Sequence, residues 1–266
     1  MRYIIRLSYD GSAYCGWQIQ PSAVTVQGEV ERCLSTLLGT SISVTGAGRT
    51  DTGVNAVNYV LHFDVEEKLP MEPEQLAYKL NAILPLKIVV HELVPAPVIP
   101  RPEDGSFSQD WHARYSAVSR EYHYFIHQGK DPFVSGWSWW CRYPLDMDRM
   151  NEACRYLLGE HDFSCFEKTG GNNKTSICTI FDARWEHYVP THVGVLGYPD
   201  QGYLVFTVRA NRFLRNMVRA IVGSMVEVGR GRKDPEWFAE LVDKGTRCDA
   251  GESVPGHALF LNKVEY

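Results

Sequence analysis

The order of the periodic segments constrains this chain more than any single motif. Tyr3 to Tyr9 alternates apolar and polar residues as a strand does, and Thr25 to Leu38 carries Val26, Val30, Leu34 and Leu37 at helical spacing before Gly39. Ile42 to Val44 and Val57 to Phe63 read as two strands, Pro73 to Leu84 as a helix and Lys87 to Val94 as a strand. The order β-α-β-β-α-β is that of the split βαβ, ferredoxin-like arrangement, an antiparallel sheet with helices on one face. PAPVIPRPEDGS, residues 95 to 106, then breaks the periodicity as a proline-rich linker. Beyond it Tyr115 to His127 reads as a strand and Asp148 to Leu158 as a helix. Ile177 to Tyr188 and Tyr203 to Ala210 read as strands, and Arg212 to Val228 as a helix. Asp234 and Pro235 start another helix, and Ala258 to Glu265 closes as a strand. The expectation is an α+β protein of two ferredoxin-like lobes with antiparallel sheets around a central cleft. The lobes would be residues 1–98 and 107–266, with 99–106 between them.

Two lobes agree with the length, because 266 residues exceed the roughly 100–150 of one typical domain. With 44% hydrophobic and 22% charged residues the chain can build a core, and disorder is not indicated. Strand-like alternation follows Met1 directly, and no apolar run of about 18 residues occurs, so the protein is expected in the cytoplasm. Seven scattered cysteines with no C-x-x-C argue for reduced thiols rather than a disulfide framework or a zinc site.

Charge is strongly polarised. Residues 209–233 hold Arg209, Arg212, Arg215, Arg219, Arg230, Arg232 and Lys233 against Glu227 alone, in a chain of net charge −5. A helix from about Arg212 would set Arg212, Arg215, Asn216 and Arg219 on one face, and Phe213, Leu214, Met217, Val218, Ile221, Val222 and Met225 on the other. Such a cationic stripe suits a phosphate backbone, and the plainer alternative is a solvated helix face.

GAGRTDTGV, residues 46 to 54, joins two strands of the first lobe. In extended chain, side chains two apart point the same way, so Arg49 and Asp51 would face each other. A guanidinium there favours the ionised carboxylate, fit for a nucleophile or base and unfit for a general acid. The alternative is an Asp-Thr-Gly turn with a surface ion pair.

Other chemistries fit less well. Asp51-Thr52-Gly53 is the aspartic-protease tripeptide, but no second D-T-G or D-S-G supplies the proton-sharing partner. The glycines are not followed by a dinucleotide fingerprint, and no G-x-x-x-x-G-K, G-x-S-x-G or H-E-x-x-H is present. His123 and His127 stand four apart on a strand and read as packing or surface residues.

Five stretches, in order along nearly the whole chain, resemble one family. YDGSAYCGWQIQP (9–21), GAGRTDTGV, SREYHYF (119–125), HDFSCF (161–166) and NRFLRNMVRAIVGSMVEVG (211–229) are similar to the tRNA pseudouridine synthases of the TruA type. The resemblance implies two α+β lobes, a homodimer whose basic clefts accept tRNA, and conversion of uridine to pseudouridine in the anticodon arm, without cofactor or metal. It implies Asp51 as the catalytic aspartate and Arg49 as its ion-pair partner. Tyr122 would lie against the target uracil. Arg219 would approach the carboxylate or the RNA, Arg212 and Arg215 would contact RNA, and Leu259, in PGHALFL, would line the pocket.

The implied reaction breaks the N1 glycosidic bond, turns the uracil and joins C5 to the same sugar carbon. An ionised aspartate is competent there as a nucleophile at the sugar carbon, as a nucleophile at the ring, or as a base on a sugar proton. Departures from the family pattern stand at Asn55, often histidine there, and at Asn58-Tyr59, and the chain is acidic overall. Two other readings remain. One is an RNA-binding module without activity, since ferredoxin-like lobes serve as RNA platforms. The other is a glycosidic hydrolase, which generally needs a second carboxylate that is not evident.

Overall fold

In the computed structural model residues 1–97, 99–100, 107–108, 111–168, 170 and 174–266 are described, those at 99–100 and 107–108 by backbone alone. Two compact units emerge: Met1–Val118 with Leu261–Tyr266, and Ser119–Phe260. Of the expected linker, residues 101–106 lie outside the described residues.

In the first unit β1 (Arg2–Tyr9) alternates as its sequence demands, with Tyr3, Ile5, Leu7 and Tyr9 buried. α1 (Val26–Leu38) follows, capped by the Thr25 hydroxyl on Gly28 N and ended by Gly39 at φ 67°. Val26, Val30, Cys33 and Leu34 form its buried stripe, each large side chain contributing about 1.5–3 kcal/mol by leaving water. Then come β2 (Val44–Gly46), β3 (Asn55–Asp64), α2 (Pro73–Ile83) and β4 (Ile88–Pro95). β1 lies between β4 and β3, antiparallel to both, and β2 adds to β3. The order β4-β1-β3-β2 is that of the split βαβ arrangement, with α2 packed on β4 and α1 on α2. β5 (Ile99–Pro100) and β6 (Phe107–Ser108) form a separate short ladder.

The second unit is built on β7 (Ser119–His127), β8 (Trp139–Trp140), α3 (Met147–Cys154), β9 (Gly159–Asp162), β10 (Ile177–His187), α4 (Thr191–Gly194), β11 (Tyr203–Ala210), α5 (Met217–Gly229) and α6 (Pro235–Lys244). β12 (Leu259–Glu265) begins here and ends among residues counted with the first unit. β11 is antiparallel to β7 and β10, and β10 to β9, while β8 joins β7 in a two-residue parallel ladder. Both units are α+β. The short β8, β9 and α4 carry too few residues to show a period in the sequence.

The expected arginine helix differs from the one that forms. α5 starts at Met217, behind Asn216 in the left-handed region at φ 65°, so Arg212 and Arg215 lie in the preceding loop. The helix is buried nearly all round, with only Arg219 and Glu227 partly exposed. A helix apolar on every side belongs in a core. Arg209 lies on β11, and Arg230, Arg232 and Lys233 follow the end of the helix.

His127 is buried with Nδ1 on Ser138 Oγ at 2.9 Å, and His123 pairs with Glu121 at 3.1 Å, so both have structural partners. All seven cysteines are free thiols, and burial pushes Cys165 up to about 12, far from the reactive thiolate. Among the described residues no group of three metal-ligating side chains occurs, and no helix is long and apolar enough to cross a membrane.

Candidate active site

The glycine-rich loop is shaped by the segment that follows β1. Residues 47–48 bend and Thr52-Gly53 turn, with Val54 N donating to Asp51 O at 3.1 Å. Thr50 points inward: its Oγ1 is 2.8 Å from the Tyr9 hydroxyl, and its carbonyl accepts from Trp17 N at 3.2 Å. Gly53 N reaches Tyr14 O at 3.4 Å. Thus YDGSAYCGWQIQP and GAGRTDTGV, apart in sequence, are one interlocked structure.

Aromatic packing backs it. Trp17 lies against Tyr59 with ring centroids 4.1 Å apart, Tyr9 is 5.6 Å from Tyr59, and the Tyr59 hydroxyl donates to Gly48 O. Gly16 has φ +84°, and a Cβ there would fall 2.4 Å from Thr50 O and 3.1 Å from Asp51 C. Only glycine permits that approach. Asn55, the departure at the position that is often histidine, is buried and accepts from Gly11 N at 2.8 Å. Asn58 donates to Asn262 O at 3.0 Å.

This packing decides where the two charged side chains go. Asp51 is half-buried and Arg49 exposed. The Arg49 Nε donates to Gln18 Oε1 at 3.3 Å, and among the described residues no ion pair joins it to Asp51. The expected facing pair needed extended chain from 49 to 51. The bend at 47–48 and the turn at 52–53 flank that stretch, Thr50 points inward between the two side chains, and the Arg49 guanidinium reaches Gln18. Gln18 belongs to the resembling stretch at 9–21, not to that of Arg49, and carries no charge pattern that would reveal it as the partner.

The other predicted residues lie in the second unit. Tyr122 is half-buried on β7, opposite Val208 of β11, and meets Phe213 edge-on at 5.1 Å. Arg219, in the first turn of α5, donates from Nε to Val254 O at 2.7 Å, and Val254 N returns a bond to Arg219 O at 3.3 Å. Arg212 donates from Nη2 to Thr175 O, and Arg215 is exposed. Leu259 is buried at the start of β12. A cavity of about 250 Å³ is lined by Lys168, Asn216, Arg219, Arg247 and Ser253. Lys168 and Arg247 fall outside the resembling stretches, and only the fold brings them beside Arg219. A larger cavity in the first unit, about 820 Å³ and lined by Ile4, Asn58, Trp111 and Tyr266 among others, includes none of the predicted residues.

Residues 153–266 match the family described as tRNA pseudouridine synthase. Over 265 residues, all of this chain and 96% of the relative, it is 44% identical to a tRNA pseudouridine synthase A from Parabacteroides distasonis. Over the same shares of both chains it is 42% identical to one from Bacteroides fragilis. A Burkholderia mallei relative of the same name is 36% identical over 268 residues, all of this chain and 90% of that one. At these identities along its entire length, the chain belongs to the tRNA pseudouridine synthase A family.

Proposed function

We propose that this protein isomerises uridine to pseudouridine in the anticodon arm of tRNA, in the cytoplasm and as a homodimer, with Asp51 as the reacting carboxylate. The observation that carries the reading is the likeness to tRNA pseudouridine synthases over the full chain, which includes the tightly packed Asp51 loop. In the reaction the C1′–N1 bond breaks and a C1′–C5 bond forms, a proton leaves C5 and one is gained at N1. Composition is unchanged, so no oxidant, leaving group or energy source is required.

Each side chain has a role that its setting supports. Asp51, half-buried in a loop fixed by Trp17 and Tyr9, is held for reaction with little reorganisation. Tyr122 offers a ring for the extruded uracil, where stacking of about 1–3 kcal/mol per base offsets part of the unstacking cost. Arg219, Arg212 and Arg215 supply positive charge for the backbone, and Leu259 contributes apolar lining. Arg49 is the catalytic-loop cation, and its exposure leaves it accessible to an incoming nucleotide.

The test is incubation with an unmodified tRNA transcript, with pseudouridine mapped by carbodiimide-dependent primer stops, for wild type and Asp51→Ala. New stops in the anticodon arm with wild type, and none with the variant, are expected. A wild type that produces no stops overturns the enzyme reading, and an active alanine variant overturns the role of Asp51.

A further inference from the structure

We infer that the cavity at the start of α5 is a seat for one phosphate group of the RNA backbone, with Lys168 and Arg247 as its clamps. RNA as the source of the phosphate rests on the tRNA reading above. Among the described residues the lining consists of three cationic side chains, one amide and one hydroxyl, with no carboxylate. At about 250 Å³ the space is smaller than the roughly 300–1,000 Å³ of common small-molecule sites, which suits a compact anion better than a whole nucleoside.

The site is preorganised by its own hydrogen bonds. Arg247 donates from Nη1 to Gly251 O at 3.1 Å and from Nη2 to Ser253 Oγ at 2.9 Å. Asn216 Nδ2 donates to the same Oγ at 2.5 Å. With two donors on that oxygen, both lone pairs are used and the single O–H of Ser253 is left to donate outward. Arg219 is steadied by Val254 O. The 247–254 loop is itself tied to α5, since Gly251 N donates to Ser224 Oγ at 2.8 Å.

Two further features add positive potential. Lys168 is exposed at the rim, and among the described residues its ammonium makes no ion pair or hydrogen bond. Its backbone N–H is anchored on Arg215 O at 3.0 Å, which holds its Cα near the cavity. The N-terminal end of α5, thirteen residues long, opens here, and the Asn216 side chain is committed to Ser253 rather than to the first-turn N–H groups. The helix dipole therefore favours an anion at the same place.

The experiment compares wild type with Lys168→Gln, which removes a charge without breaking any hydrogen bond among the described residues, and with Arg247→Lys, which keeps the charge and loses the fork. Binding of an unmodified tRNA transcript is measured across salt concentrations. Thermal stability is measured in inorganic phosphate and in chloride of equal ionic strength. Loss of one phosphate contact should lower the slope of log K against log salt by about 0.7–0.9 and weaken binding about fivefold near 0.15 M salt. Phosphate should raise the melting temperature of wild type more than that of Lys168→Gln. An unchanged slope and affinity in Lys168→Gln, in an enzyme that forms pseudouridine, overturns the seat and leaves the proposed function standing. Phosphate protection lost in the variant, with wild-type tRNA binding retained, overturns RNA as the source. A wild type that forms no pseudouridine and binds no tRNA overturns both.

Discussion

Replacing Gly16 by alanine probes how tightly the Asp51 loop is held. At φ +84° alanine pays for a left-handed conformation, about 1–2 kcal/mol. The new methyl would also sit 2.4 Å from Thr50 O, 3.1 Å from Asp51 C and 3.3 Å from Thr52 N. All three are backbone atoms, so relief requires the loop itself to move. Thr50 is pinned from the other side by the Tyr9 hydroxyl and Trp17 N, so the displacement passes along the chain to Asp51. A shift of about 1 Å at a reacting group costs on the order of 100-fold in rate. Gly39→Ala supplies the control, because it has φ +67° with nothing within 4 Å of the added Cβ. Urea denaturation and single-turnover pseudouridine formation should separate the two. Gly39→Ala should lose about 1 kcal/mol and keep the wild-type rate, while Gly16→Ala should lose more stability and about 100-fold in rate. A Gly16→Ala protein that reacts at the wild-type rate refutes the view that this contact positions Asp51.

His62 is buried with Nδ1 accepting from Ala113 N at 3.1 Å, and burial, with Arg2 and His112 nearby, pushes it down to about 4. Because the unfolded chain binds the proton first, near pH 6.5, stability should fall as pH drops from 6.5 toward 4. The loss at pH 5, read from urea midpoints, should be about 2 kcal/mol. His112 is lowered by burial and Arg2 and adds in the same direction, and a flat profile between pH 7 and 5 would contradict both. Asn55→Ala strands the buried Gly11 N–H and should cost about 1–3 kcal/mol in thermal or urea unfolding, whereas a neutral change would mean that water replaces the bond. Tyr122→Ala should lower kcat/KM by the stacking energy, about 1–3 kcal/mol or roughly 5- to 150-fold, while Tyr122→Phe should stay within a few-fold. Equal losses in both variants would point to the hydroxyl instead.

How much of this was legible in the sequence depends on the range over which each signal acts. The strand order of the first unit follows from period-2 and period-3.6 patterns such as Tyr3-Ile5-Leu7-Tyr9 and Val26-Val30-Leu34, and the short pair β8 offered no such pattern. Asp51 stood out because its loop belongs to a recognisable set of stretches. The Arg49 bond to Gln18 was not legible, because a spacing of two aligns side chains but does not say which neighbour from another segment reaches the guanidinium. The loop around it is held by Trp17, Tyr9 and Tyr59 from other segments.

α5 makes the division clearest. Its composition, MVRAIVGSMVEVG, already contains a helix with few polar positions, since apolar side chains and local backbone preference act over a turn or two. Where it begins, and that Arg212 and Arg215 stay off it, was decided by Asn216 in the left-handed region and by the 247–254 loop packed along it. That loop also set Arg247 and Lys168 beside Arg219, residues separated by up to 79 positions in the chain. Local periodicity carries no record of such encounters, because they depend on which surfaces meet after the elements have formed.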